Sequence, residues 1–150
     1  MKKTKMITIG FFLTFTLSLN AQIMQDSIEV LKIASLYSQA WYEGDSLKMS
    51  KVLHPELVKR TIRNYEHTGN DVVNNLSYNT MMQYTIAGYG KHTPKDKQND
   101  KIEMLDICED IASIRVESAD YVEYLQMVKY NGEWKALNVL WQIKVLKKSK

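Results

Sequence analysis

Three histidines, one cysteine and an aromatic-rich hairpin are the places where this chain could do chemistry. His54, His67 and His92 lie far apart, and no run of His, Cys, Asp or Glu has the spacing of a metal site, so neither a metal nor a cofactor is expected. His54 precedes Pro55, which disfavours helical geometry at the residue before it, so His54 marks the break where a short helix ends. Two roles are open to its ring. It can satisfy the bend or cap a neighbouring helix, or it can act as acid or base in a pocket, given an orienting partner and a substrate within reach. Asp45 suits a helix cap better than it suits that partner role, and His67 and His92 fall in loop-like sequence where solvation is expected. Cys108 closes an apolar stretch and reads as a small buried hydrophobe. A lone cysteine excludes an internal disulfide.

Residues 121–141, "YVEYLQMVKYNGEWKALNVLW", are two alternating stretches joined by Asn131-Gly132, a strong signal for a two-residue hairpin turn. An uninterrupted register sets Tyr130 opposite Glu133, Val128 opposite Lys135, Gln126 opposite Leu137, Tyr124 opposite Val139 and Val122 opposite Trp141. One face then carries Val122, Tyr124, Gln126 and Val128 with Leu137, Val139 and Trp141; as the more apolar, it is expected to face inward. Gln126 would need partners there, because an unpaired buried amide costs about 1–3 kcal/mol. The reverse face would carry Glu123, Leu125 and Met127 with Trp134 and Leu140. It is apolar enough to dimerise or support a partner. In this register the inward face offers no carboxylate beyond Glu133 beside the turn, although a bulge could bring Asp106, Asp120 or Glu123 across.

The elements that must hold these residues follow from periodicity. "MKKTK" and the apolar run after it, closing at Ala21, read as a secretory leader over 1–21, too short to span a bilayer comfortably. The 129 residues that remain make one domain, 22–150, in an exported protein, periplasmic or secreted. Three of the chain's 20 basic residues lie in the leader, leaving 17 against 17 acidic ones, so the mature part is formally neutral and lacks the basic surface that nucleic acid requires. No membrane contact is expected after cleavage. All three Phe leave with the leader, so Tyr, Trp, Met and aliphatics must build the core.

Asp26 with Glu29 signals a helix start, Val30, Ile33, Ala34, Tyr37, Ala40 and Trp41 recur at helical spacing, and Gly44 ends the run. Asp45 caps a short helix over "SLKMSKVL", "ELVKRTIRNY" could be a strand, and Ser77 caps a third helix that Gly88 and Gly90 end. Beyond the polar connector 90–100, "KIEMLDI" and "IASIRVES" alternate as strands about a turn near Glu109-Asp110. Helices first and an antiparallel sheet after them give an α+β fold with the helices on one sheet face. A curved sheet closing over a long first helix makes a cone with room for a cavity.

The chain resembles the nuclear transport factor 2-like superfamily and, within it, the group described as putative lumazine-binding. The resemblance is carried by "AWYEGDSLKMSKVLHPELVKR" and "VESADYVEYLQMVKYNGEWKALNVLW", and more weakly by "LSYNTMMQYTIAGYG". It implies a cone-shaped, cystatin-like roll in which a curved antiparallel sheet wraps about three helices, with frequent dimers through the outer sheet face. It also implies a pocket near Trp41, His54, Tyr124, Gln126, Val139 and Trp141. There Trp41 and Trp141 could sandwich a flat heterocycle while Gln126 and Tyr124 bond its edge. The superfamily spans isomerases, dehydratases, polyketide cyclases and transport adaptors, so the fold leaves function open. The expected role is a noncatalytic binder of a small flat or apolar molecule; the alternatives are an enzyme using His54 as acid or base, or a dimeric interaction module.

Overall fold

The computed structural model describes the backbone of residues 4–144 and the side chains of residues 22–144. The expected leader thus lies outside the described side chains, and the closing lysine tail lies outside the described residues. Helix α1 (Thr4–Glu43) turns one face inward through Val30, Ala34, Tyr37 and Ala40, and stops at Gly44, whose φ of +63° favours a residue without a Cβ. Asp26 lies within this helix, not at its start. Its carboxylate is occupied elsewhere, accepting from Lys129 Nζ at 2.6 Å, Gln22 Nε2 at 3.0 Å and Trp134 Nε1 at 3.4 Å. What reads locally as a capping signal is therefore a clamp between α1 and the distal hairpin.

Asp45 caps α2 (Ser46–Val52) by accepting from Lys48 N, and Ser77 caps α3 (Tyr78–Ile86) by accepting from Thr80 N, as their positions predict. Between these helices run β1 (Leu53–Tyr65) and β2 (Asn70–Ser77). The alternation of 70–77 is poor because β2 pairs only with β1 at the sheet edge and buries almost nothing, so no inward face is written into its sequence. The connector 90–100 carries two short 3-10 turns, Tyr89–His92 and Lys95–Lys97. Gly90 lies so close to α1 that an added Cβ would stand 2.2 Å from the Trp41 carbonyl oxygen. Only glycine lets this segment lie against the helix end.

β3 (Lys101–Cys108), β4 (Ile111–Glu117), β5 (Tyr121–Tyr130) and β6 (Glu133–Ile143) complete a six-stranded sheet in the order β2-β1-β6-β5-β4-β3. Neighbours are antiparallel except β1 and β6, which run parallel. The helices cover one face, giving the expected α+β curved-sheet fold. Ala112, Ile114 and Val116 point into the core. Cys108 is exposed, not buried, because it ends edge strand β3 beside the Glu109-Asp110 turn.

The hairpin corrects the expected register. The turn is as predicted, with Asn131 and Gly132 both at positive φ and Tyr130 opposite Glu133. A bulge then inserts Leu137, so Met127 pairs with Ala136 but Gln126 pairs with Asn138, and Glu123 comes to lie opposite Trp141. The buried residues of β6 show why. Trp134 and Ala136 have one parity, Val139 and Trp141 the other, and only an extra residue between them turns both pairs to the same side. β5 follows with Glu123, Leu125 and Met127 inward, while Tyr124 and Gln126 are exposed on the outer face. Leu125, Met127 and Trp134, expected outside, are core; Leu140 does face outward.

Candidate functional site

A cavity of about 290 Å³ opens between the end of α1 and the sheet. Four side chains of α1 reach it, Tyr37, Ser38, Trp41 and Tyr42, because residues three and four apart share a helix face. On β1 the period-two alternation that buries Leu57, Lys59 and Thr61 carries on to Arg63 at the rim. β5 contributes Tyr121 and Glu123, and β6 contributes Trp141. Tyr84 and Tyr89 close the side nearest α3, and Asp100, Ser118 and Asp120 form the edge beside the loops.

Inside sits an ion pair with little access to water. Lys59 Nζ donates to Glu123 Oε1 and, at 2.8 Å, to the Tyr37 hydroxyl; Tyr37 in turn donates to Glu123 Oε1 at 3.1 Å. The two charged side chains are about one-tenth exposed, so the attraction is little weakened by solvent, and the pair depends on both members being present. Among the described residues, every hydrogen bond to the Glu123 carboxylate falls on Oε1, and Lys59 uses two of its three donor hydrogens. Burial, reinforced by the neighbouring Glu123 charge, pushes the Tyr37 hydroxyl well above the usual phenol range, so Tyr37 stays protonated. Burial and a 2.5 Å hydrogen bond to Asp100 do the same to Tyr42.

The Trp141 ring is the other focus. Lys59 Nζ lies 5.3 Å and the Arg63 guanidinium 5.6 Å from its centre, and Tyr121 meets it edge-on at 5.6 Å. Among the described residues its indole Nε1 is buried without a hydrogen-bond partner, and so is Ser38 Oγ. Both residues line the cavity. Such a site can hold a flat ring beside the aromatics.

Of the six residues expected near a pocket, Trp41 and Trp141 line this cavity. Val139 is buried opposite Leu125 but is not part of the lining. Tyr124 and Gln126 lie on the other side of the sheet, so the proposed edge contacts to a ligand are not available to them; the Leu137 bulge is the reason. His54 is buried at the start of β1, just past the end of α2, where Nδ1 accepts the Glu56 N–H at 3.1 Å and the ring stands edge-on to Tyr130 at 4.6 Å. It does not line the cavity. His67 and His92 are exposed. Glu123 and Asp120, expected inward only if a bulge shifted the register, do line the cavity, whereas Asp106 does not; sequence reasoning missed Lys59 and Ser38, and the signal for Lys59 was its place between Leu57 and Thr61. Among the described residues no group of His, Cys, Asp or Glu could hold a metal ion.

A family profile described as "Putative lumazine-binding" matches residues 25–142. Solved structures of the same fold include a nuclear transport factor 2-like protein from Silicibacter pomeroyi, at 15% identity and a TM-score of 0.63, covering 81% of this chain and 98% of that one. Another, from Shewanella baltica, has 12% identity and a TM-score of 0.62 over 82% and 97%. A third, with a cystatin-like fold, from Novosphingobium aromaticivorans, has 10% identity and a TM-score of 0.59 over 89% and 90%. No curated protein matches the chain.

Proposed function

The chain belongs to the putative lumazine-binding family and has the nuclear transport factor 2-like fold, and from that premise we propose that it is an exported, noncatalytic protein that binds a small flat molecule in the cavity between α1 and the sheet. The observation that carries this is the pair of indoles, Trp41 and Trp141, lining one aromatic-walled cavity of about 290 Å³. Aromatic faces supply large contact area and the few polar groups fix orientation, the usual composition of a small-molecule site. The noncatalytic reading is supported by the state of the polar groups: Lys59 and Glu123 are bonded to each other and to Tyr37, and His54 Nδ1 accepts the Glu56 N–H at the start of β1, away from the cavity. The leader-like 1–21 supports export to the periplasm or beyond. The exposed outer face, with Ile111, Tyr124 and Leu140, supports pairing of two copies.

One observation favours a second reading. Glu123 is a carboxylate in the cavity with Oε2 free of hydrogen bonds among the described residues, so an acid–base enzyme of the isomerase or dehydratase kind would use Glu123 and not His54. Native mass spectrometry of the exported protein tests the binding proposal. It should show a mature chain starting at Gln22, a two-copy assembly, and an adduct with 6,7-dimethyl-8-ribityllumazine or a simpler pteridine. Absence of any adduct at high micromolar ligand removes the lumazine-like ligand, and a mass that includes residues 1–21 removes the export step. Conversion of the ligand during incubation would replace the binder with the enzyme.

A further inference from the structure

We propose, resting on the binding reading above, that Glu123 is the specificity-determining residue of the cavity and selects an uncharged planar heterocycle whose ring N–H donates to its free carboxylate oxygen. The carboxylate is engaged on one oxygen only: Lys59 Nζ and the Tyr37 hydroxyl both donate to Oε1, and no described residue donates to Oε2. Ser38 Oγ and Trp141 Nε1 also lack partners among the described residues, but those two atoms are sealed from the cavity. Oε2 is not sealed: it keeps exposed surface on a side chain that lines the cavity, although Glu123 as a whole is only 7% exposed. An ionised carboxylate can only accept, so the open oxygen calls for a donor.

Two kinds of ligand can supply that donor, and the surroundings separate them. A ligand ammonium would stand beside the Lys59 ammonium, which already touches the same carboxylate, and near Arg63, a second cation 5.6 Å from the centre of the Trp141 ring. The charge of Glu123 is thus balanced from within the protein, and a neutral N–H is the donor that fits its remaining oxygen. Lys59 Nζ lies 5.3 Å from the Trp141 ring centre and Tyr121 meets that ring at 5.6 Å, so the carboxylate it holds stands beside an aromatic wall that suits a flat ring. A site built around a hydrogen bond strongly rejects the analogue that lacks it, because the buried polar group is then left unpaired. An analogue with oxygen in place of the N–H is worse still, since it sets one acceptor against another.

The test titrates the ¹⁵N-labelled exported protein with two flat, neutral bicyclic probes, 2-quinolone and coumarin, which differ only in a ring N–H replaced by a ring oxygen. Followed by the indole resonances of Trp41 and Trp141, 2-quinolone should bind at least about tenfold more tightly than coumarin. Glu123→Gln should cut that preference at least about threefold, because Lys59 and Tyr37 hold the amide oxygen and leave its NH₂ group facing the ligand. Should this variant not fold, Lys59→Met with Glu123→Gln removes the same acceptor together with the stranded charge and carries the same expectation. Equal binding of the two probes to the parent protein, as a water held on Oε2 would produce, overturns the inference and leaves the binding reading standing. An unchanged preference in the variant overturns it too. If neither probe at millimolar concentration moves either indole resonance, the cavity is not a binding site and both proposals fall.

Discussion

Lys59, Glu123 and Tyr37 come from three separate elements and meet in the same buried spot. Placing a charge there is unfavourable unless its partner is present, so the set ties β1, β5 and α1 to one arrangement. Lys59→Met should cost about 3–5 kcal/mol in chemical denaturation, because it strands the Glu123 charge. The double variant Lys59→Met with Glu123→Gln should recover a large part of that loss; a double variant no more stable than the single one would show that the pair is not what couples the elements. None of this partnership was legible from the residues singly. A lysine in an alternating strand reads as a solvent-facing residue, and only Leu57 and Thr61 on either side place Lys59 inside. Gln126 attracted attention as a polar residue among aliphatics, yet it is exposed and needs no special partners.

At the level of elements, the turn, the caps and the burial pattern of β4 follow directly from sequence because each depends on residues close together in the chain. The Leu137 bulge does not, since alternation alone cannot say where its phase slips. The clue was the change of parity between Trp134 with Ala136 and Val139 with Trp141, two apolar pairs that a regular strand would turn to opposite sides. Asp26 misled for a related reason: its partners, Lys129 and Trp134, are more than a hundred positions away. That contact has a consequence for acid stability. The Lys129 hydrogen bond holds the Asp26 carboxyl below its ordinary value of 3.8, and the gap to the unfolded chain stabilises the fold above that pH. The stabilisation is lost as pH falls through the native pKa. Thermal melts of the parent protein and Asp26→Asn should therefore differ at pH 6 and converge as the pH drops below about 4; a constant offset down to pH 2 would assign the effect of Asp26 to shape and not to charge.

For the molecule as a whole, the order of elements was enough to give the α+β architecture, because a helical half followed by an alternating half has few ways to bury both apolar faces. Which outer residues remain for a partner was not legible, since it depends on the same phase slip; Ile111, Tyr124 and Leu140 are the exposed ones. If two copies pair through that face, Leu140→Lys should give a monomer by light scattering at tens of micromolar with an unchanged melting temperature, and a persistent dimer would place the interface elsewhere. The distribution of tryptophan has an optical consequence. Trp41 and Trp141 line the cavity, whereas Trp134 is sealed beside Asp26 and Lys129. An occupant of the cavity thus screens two emitters from a small diffusing quencher and leaves the third dark to it in either state, so the protein carries both its own reporter and its own internal standard.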